Sequence, residues 1–287
     1  MKNIGFIGIG VMGESMARNL NRHGFNVFIY NRTKSKAESL IAEGLTWCDS
    51  VAECAAGRDA VITIVGYPKD VEEVYFGQGG IIANAKPGTY LIDMTTTSPQ
   101  LSKRIYKEAY THGLSALDAP VSGGDGGAKN GTLAIMVGGD KPVFDACMPL
   151  FETMGQNIFY QGLAGSGQHV KMANQIAIAG IVSGVCEAVA YGRAAGVDLD
   201  TMLKTIGSGS AASAQLQKIA PKMIAGDYTP GFYIKHFIKD MSLAQQEAQS
   251  AGLSLEILQQ ACRMYQTLAD AGKGDNGTQA IISYYDK

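Results

Sequence analysis

Three groups of residues in this chain have the types and spacing to do chemistry. The first is Gly8-Ile9-Gly10-Val11-Met12-Gly13, set directly after an apolar run and opening a helical pattern. Gly8 permits a tight turn, Gly10 lets the backbone approach a pyrophosphate, and Gly13 allows close helix–strand packing. The helix that starts at Val11 and Met12 adds unsatisfied N–H groups and a positive dipole end for phosphates. About 20 residues on, a site for NAD places Asp or Glu to hold the ribose hydroxyls. Here the segment is Tyr30-Asn31-Arg32-Thr33-Lys34. No carboxylate stands there to repel a 2′-phosphate, Arg32 can pair with it and stack on adenine, and Asn31 and Thr33 can donate hydrogen bonds. The expectation is NADP(H) as preferred cofactor, with NAD(H) as the second choice.

The second group is Asp118-Ala119-Pro120-Val121-Ser122-Gly123-Gly124. A Ser-Gly-Gly turn offers a hydroxyl and consecutive N–H groups, a cradle suited to a carboxylate. The third is Gly167-Gln168-His169-Val170-Lys171-Met172-Ala173-Asn174-Gln175, where Lys171, Asn174 and Gln175 share one helix face. Taken alone, this lysine reads as a surface residue snorkelling from an apolar helix.

The elements that must position these groups alternate in the first half. Strand-like runs at Asn3–Gly8, Asn26–Tyr30, Ala60–Val65, Tyr90–Asp93, Ser115–Asp118, Leu133–Val137 and Ile158–Tyr160 are separated by amphipathic helical stretches. That spacing implies βαβ units and a mostly parallel sheet covered on both faces. From Gly165 to Gly196 there is only a long, Ala- and Ile-rich helical pattern, about 45 Å if continuous, and further helices follow. The expected fold class is α/β: a Rossmann-type, doubly wound, mostly parallel sheet over residues 1–163, then an all-helical domain over 164–287. Low charge along the long helix suggests burial, in part against a second copy, as in a homodimer or homotetramer.

Composition narrows the function classes. Of 287 residues, 46% are hydrophobic and 17% charged, with a net charge of −2, which disfavours disorder and non-specific binding to nucleic acid or anionic membrane. Gly is high at 36, with no collagen period. Five scattered cysteines and four dispersed histidines give neither a disulfide framework nor a metal site, and the thiols suit a reducing cytoplasm. The longest apolar stretch, Ile176–Cys186, is shorter than the roughly 18 residues of a membrane span. Met12, Met16, Met136 and Met172 read as core filling, Cys186 as buried, Trp47 as packed, and His169 as a rim residue.

Taken together, these segments resemble the 3-hydroxyisobutyrate dehydrogenase, or β-hydroxyacid dehydrogenase, family. The resemblance runs in order along the chain: GFIGIGVMG at the start, LIDMTTTSP at 91–99, DAPVSGG at 118–124, GTLAIMVGG at 131–139, GQHVKMANQ at 167–175, and Lys239-Asp240. It implies that Lys171 is the catalytic acid/base, with its pKa brought down from about 10.4 by partial burial. It further implies that Ser122, Gly123 and Gly124 hold a small substrate's carboxylate, and that Asn174 and Gln175 orient substrate and lysine. Thr96 and Tyr67-Pro68 would line the cofactor, Lys239 would reach it with Asp240 in support, and Phe232 would wall the substrate site. Two departures bear on substrate: Gln175 where many relatives have Asn, and Asp125 where most have a small apolar residue. The segment Asp275–Ala280 resembles one at the edge of the family's active site. The implied activity interconverts a small 3-hydroxy acid and its semialdehyde, the branch lying near the glyoxylate, succinic semialdehyde and tartronate semialdehyde reductases. Alternatives are an imine reductase, a 6-phosphogluconate-dehydrogenase-like enzyme, or a non-catalytic NADP(H)-binding module. The imine reductases usually lack this lysine, the second group has a longer helical domain, and a non-catalytic module should have lost Lys171.

Overall fold

In the first strand, β1 (Asn3–Ile7), neighbouring residues must both find apolar surroundings, and the computed structural model, which describes Met1–Asp286, shows how. Phe6 enters one core with Met16, Ile29 and Ile62, while Ile7 points to the opposite face with Val61, Leu91 and Tyr75. The same alternation separates Ile92 from Leu91 and Leu117 from Ala116. Strands buried on both faces read as continuous apolar runs for this reason.

The sheet has nine strands. β2 (Asn26–Tyr30), β3 (Thr46–Trp47), β4 (Ala60–Thr63), β5 (Tyr90–Asp93) and β6 (Ser115–Asp118) are all parallel, in the order β3-β2-β1-β4-β5-β6. β7 (Val121–Ser122) and β6 both run antiparallel to β8 (Leu133–Gly138), pairing Asp118 with Gly138 and Val121 with Ile135, and β9 (Gly155–Gly162) is parallel to β8. The order reverses between β1 and β4, which puts the carboxyl end of β1 beside the crevice where open α/β sheets take ligands. Two strands, β3 and β7, are too short for a periodicity signal, and the helix Gly124–Asn130 is a further element the sequence pattern does not suggest. That helix contains three glycines, and tertiary contacts hold it: Asn19 Nδ2 donates to the Ala128 carbonyl at 2.8 Å.

Two compact units divide the chain, Met1–Lys171 and Met172–Lys287. The division falls inside the long helix Ser166–Ala194, later than the loop at 163 suggested by the change of pattern. The reason is local: the first turn of that helix is bonded to β6, within the α/β unit. In the helical unit Ala179, Val182, Cys186 and Val189 from the long helix pack with Phe237, Met241, Met264 and Tyr265. By length and composition the long helix would suffice to cross a bilayer, although no single apolar stretch within it does. Its burial is one-sided, because Ala177, Ile181 and Tyr191 remain exposed.

The helical unit's core includes a buried polar tie between an aromatic side chain and the backbone. Tyr265, wholly buried, donates its hydroxyl to the Thr278 carbonyl at 2.8 Å and meets Phe237 edge-on. Replacing Tyr265 by Phe removes that bond from a buried carbonyl and should cost about 1–2 kcal/mol. Thermal unfolding followed by circular dichroism should show a midpoint several degrees lower; an unchanged midpoint would contradict the assignment.

Candidate active site

The glycine loop separates into two kinds of position. A Cβ at Gly8 would lie 2.1 Å from the Ile64 carbonyl oxygen, and one at Gly13 would lie 1.9 Å from that of Gly8. The chain's own backbone therefore excludes side chains at both. Gly10, the residue before the helix Val11–Arg22, has nothing within 4 Å of where its Cβ would stand. Space there is left for something other than the chain, as a pyrophosphate lying on the helix N-terminus requires. The loop's shape thus fits a dinucleotide.

At the end of β2, Asn31 is already committed to structure. Its Oδ1 accepts from Ile9 N at 3.1 Å and its Nδ2 donates to the Thr33 carbonyl at 2.9 Å, which ties β2 to the glycine loop. Arg32 remains 74% exposed along its side chain, but it is not without a carboxylate. Asp70, nearly buried, accepts from Arg32 Nη1 at 3.0 Å. The expectation of no carboxylate near Arg32 is corrected here, because a residue 38 positions away on the helix Pro68–Phe76 supplies one. The other Asp70 oxygen accepts from Tyr67 N at 3.0 Å, so one carboxylate holds both Arg32 and the start of the Tyr67-Pro68 segment.

Two further carboxylates stand side by side at the ends of β5 and β6, where Asp93 and Asp118 are register partners. Asp93 accepts from Thr63 Oγ1 at 2.9 Å and from Thr95 N at 3.1 Å. Burial pushes its carboxyl up to about 6 against these hydrogen bonds, with the nearby Asp118 adding to the rise. Asp118 is also raised by burial, and it accepts from Gly165 N at 2.7 Å and Gln168 N at 2.9 Å. Gly165 precedes the long helix with a φ of +90°, and a Cβ there would meet Lys103 Cε at 3.0 Å and the Pro99 carbonyl oxygen at 3.1 Å. With no side chain allowed at that position, Asp118 caps the helix from β6.

That cap fixes Lys171, which is not a surface lysine. It is 7% exposed and donates from Nζ to the Val121 carbonyl at 2.9 Å, the residue immediately before the Ser122-Gly123-Gly124 turn. Ser122 and Gly124 are half-buried and Gly123 is exposed; Asp125, the next residue, is exposed at the start of the helix Gly124–Asn130. Thr96 is partly exposed between the buried Thr95 and Thr97, and Gln168 bonds to both of those neighbours.

In the helical unit the predicted residues form a chain of contacts. Asn174 Nδ2 donates to Gln175 Oε1 at 2.7 Å, Gln175 Nε2 donates to Asp240 Oδ2 at 2.6 Å, and Lys239 Nζ stands 2.9 Å from Asp240 Oδ1. Gln175 and Asp240 are buried. Phe232 is packed edge-on against Phe237, with ring centroids 5.7 Å apart. The segment leading up to it is tied down by the C-terminal residues: Thr278 N donates to the Phe232 carbonyl at 3.0 Å, and Gln279 Nε2 donates to the carbonyls of Asp227 and Thr229. Sequence reasoning gave no role to Asp70, Asp93 or Gln168. Only Asp70 carried a local signal, as the acid three residues into a helix that opens with Pro68.

Known proteins share both halves of this arrangement. Residues 3–162 match a family model described as the NAD-binding domain of 6-phosphogluconate dehydrogenase, and residues 165–285 one described as NAD-binding of NADP-dependent 3-hydroxyisobutyrate dehydrogenase. An uncharacterized oxidoreductase of Bacillus subtilis is 54% identical over 286 residues, covering 100% of this chain and 99% of its own. The NAD-dependent L-serine dehydrogenase of Pseudomonas aeruginosa is 33% identical over 293 residues, covering 100% and 98%. The solved structure of Mycobacterium tuberculosis 3-hydroxyisobutyrate dehydrogenase with L-serine superposes with a TM-score of 0.90 at 30% identity, over 98% of each chain.

The paired buried carboxylates give a pH prediction with a definite sign. The folded chain holds the Asp93 proton up to about pH 6, whereas an unperturbed carboxyl releases it near 3.8. The stability this group contributes is therefore fully present below the lower value and lost as pH rises through the upper one. Asp93→Asn cannot ionise, so its denaturant midpoint relative to wild type should rise between pH 4.5 and 7.5. A difference that stays constant with pH would show that Asp93 ionises freely in the fold.

Proposed function

Because the chain belongs to the 3-hydroxyisobutyrate dehydrogenase family of nicotinamide-dependent oxidoreductases, we propose that it interconverts a small 3-hydroxy acid and its semialdehyde with NADP(H), using Lys171 as acid/base. The observation that carries the proposal is the placement of Lys171. A buried ammonium bonded to the carbonyl of Val121 stands one residue from a Ser-Gly-Gly turn suited to a carboxylate. A substrate held there by its carboxylate would bring its carbonyl toward Lys171, a side chain able to give it a proton.

When bound, the nicotinamide supplies or accepts the hydride. The chain's residues do the rest. Gly10 and the N–H groups of the helix at Val11 and Met12 receive the pyrophosphate, and Gly8 and Gly13 allow that helix to sit close. Ser122, Gly123 and Gly124 bind the carboxylate. In reduction, the Lys171 ammonium gives its proton to the carbonyl oxygen, which becomes the hydroxyl; in oxidation, the neutral amine takes it back. Family resemblance assigns Asn174 and Gln175 to orienting substrate, Thr96, Tyr67, Pro68 and the Lys239–Asp240 pair to the cofactor, and Phe232 to the substrate wall. These roles are part of the same proposal, as are a cytoplasmic setting and a homodimer or homotetramer formed on the exposed apolar stripe of the long helix.

Preference for NADP(H) rests on Arg32, which Asp70 holds in place while most of its side chain stays open to solvent. The name of the Pseudomonas relative marks that protein as NAD-dependent, so the choice in this chain is argued from Arg32. A second substrate reading has one observation in its favour. L-serine, present with the Mycobacterium structure, is itself a 3-hydroxy acid, and Asp125 sets a carboxylate beside the Ser-Gly-Gly turn where an ammonium group would be welcome.

The decisive assay measures oxidation of NADPH and NADH with glyoxylate, succinic semialdehyde, tartronate semialdehyde and methylmalonate semialdehyde, and the reverse reaction with L-serine. NADPH should be the better cofactor with whichever compound turns over best. Arg32→Ala should raise the KM for NADPH about 10- to 100-fold, the worth of a charge-assisted contact, and leave that for NADH nearly unchanged. Equal loss with both cofactors would sink the role of Arg32. Lys171→Ala should lose most turnover while still binding NADPH, as read by cofactor fluorescence. Near-normal turnover in that variant would overturn the acid/base assignment, and cofactor binding without turnover by wild type on any compound would favour an imine substrate or a sensing role.

A further inference from the structure

Lys171 and Thr96 come from distant parts of the chain, yet hydride and proton transfer need the nicotinamide and the acid in one fixed geometry. We propose that Gln168 is the positioning residue that locks the Thr96 loop to the Lys171 helix. The inference rests on the roles given to Lys171 and Thr96 above, and it adds a residue that the family resemblance did not assign.

The contacts are specific. The Gln168 side chain, wholly buried, donates from Nε2 to the Thr95 carbonyl at 2.8 Å and accepts at Oε1 from Thr97 N at 3.1 Å. One amide thus grips the backbone on both sides of Thr96, as a peptide group of a neighbouring strand would. The planar amide of Gln carries a donor and an acceptor side by side, as this grip needs, and Asn would be one methylene shorter. The gripped loop is held from its other side as well: Thr95 N donates to Asp93 at 3.1 Å, and Thr95 Oγ1 accepts from Val65 N at 3.0 Å. Thr95 and Thr97 are buried, and Thr96 is the residue of the three left partly exposed.

The other end of the clamp is equally fixed. Gln168 N donates to Asp118 at 2.9 Å, and Lys171 follows three residues later, one turn along the same face of the helix. Movement of the Thr96 loop relative to the helix must therefore break two buried hydrogen bonds at once. A residue that merely satisfied buried backbone groups would contribute to stability alone. A clamp between the hydride and proton partners contributes to the rate of the chemical step, because a displacement of about 1 Å can cost on the order of 100-fold.

Gln168→Met keeps the side chain's length and loses both bonds. Gln168→Glu keeps the acceptor for Thr97 N and loses the donor to Thr95 once its carboxyl is ionised, so it is assayed above the pH at which that carboxyl loses its proton. Each variant would be assayed with NADPH and the best of the four aldehydes, alongside NADPH deuterated at the transferred position, with cofactor affinity from fluorescence titration and folding from thermal unfolding. In Gln168→Met, kcat should fall about 100-fold while NADPH affinity is kept, and the deuterium isotope effect on kcat should increase as hydride transfer becomes limiting. Gln168→Glu should show a smaller fall with the same increase, and it decides the matter if the Met variant does not fold. Variants that lose thermal stability but keep the wild-type kcat and isotope effect would overturn the clamp. Lys171→Ala, run in parallel, separates the two levels of the argument. Full activity in Lys171→Ala, or no turnover by wild type on any of the four aldehydes, would remove the premise and the proposal with it, whereas an inactive Lys171→Ala beside a wild-type-like Gln168→Met would defeat the clamp alone.

Discussion

A helix that begins on a glycine needs its first N–H groups satisfied by something else, and in this chain that something is Asp118. Burying a carboxylate is costly, and the cost appears in its raised pKa; two backbone N–H bonds offset part of it. The arrangement fixes the start of the helix Ser166–Ala194 against the end of β6. The residues of its first two turns then fall where they do by helical geometry alone: Gln168 on the Thr95–Thr97 loop, and Lys171 on the Val121 carbonyl. An Ala at Gly165 would push against Pro99 and Lys103, and shifting the helix start would disturb both.

The cofactor end follows a different logic, of exclusion more than attachment. Gly8 and Gly13 are small because the chain's own carbonyls fill the space beside them, and Gly10 is small where nothing of the chain does. Asn31 closes the loop onto β2, and Asp70 does double duty by bracing Arg32 and the backbone at Tyr67. An exposed arginine pairs weakly with a carboxylate, because solvent screens the charges. Arg32 is thus aligned by Asp70 at little energetic cost, and the exposed remainder of its guanidinium keeps donors to offer.

What could be read from the sequence was what depends on nearest neighbours and regular periods. The βαβ alternation, the glycine spacing at 8–13 and the shared face of Lys171, Asn174 and Gln175 are all local, and the parallel order of β1 to β6 follows from the first. The signals failed where a contact joins distant segments. Nothing near Arg32 in sequence points to Asp70, and nothing in Gly167-Gln168-His169 marks the glutamine as buried. The strands β3 and β7 are two residues each, too few to show a period, and the Gly-rich helix Gly124–Asn130 is made by its packing against intrinsic preference. Lys171 shows the limit most directly. Propensity and hydropathy favour a solvated lysine, and the carbonyl of Val121, fifty residues away, accepts a hydrogen bond from it in its buried setting.

The helical unit extends the same principle to Gln175. An Asn at this position would be one methylene shorter than the side chain that bonds to Asp240 at 2.6 Å. Gln175 donates a hydrogen bond to one oxygen of the buried Asp240, and the Lys239 ammonium stands beside the other as an ion pair. Truncating any one member would leave a charge or an amide in an apolar setting without its partner, which costs more than the bond itself contributes. The longer amide at Gln175 thus joins Asn174 to the Lys239–Asp240 pair within the helical unit.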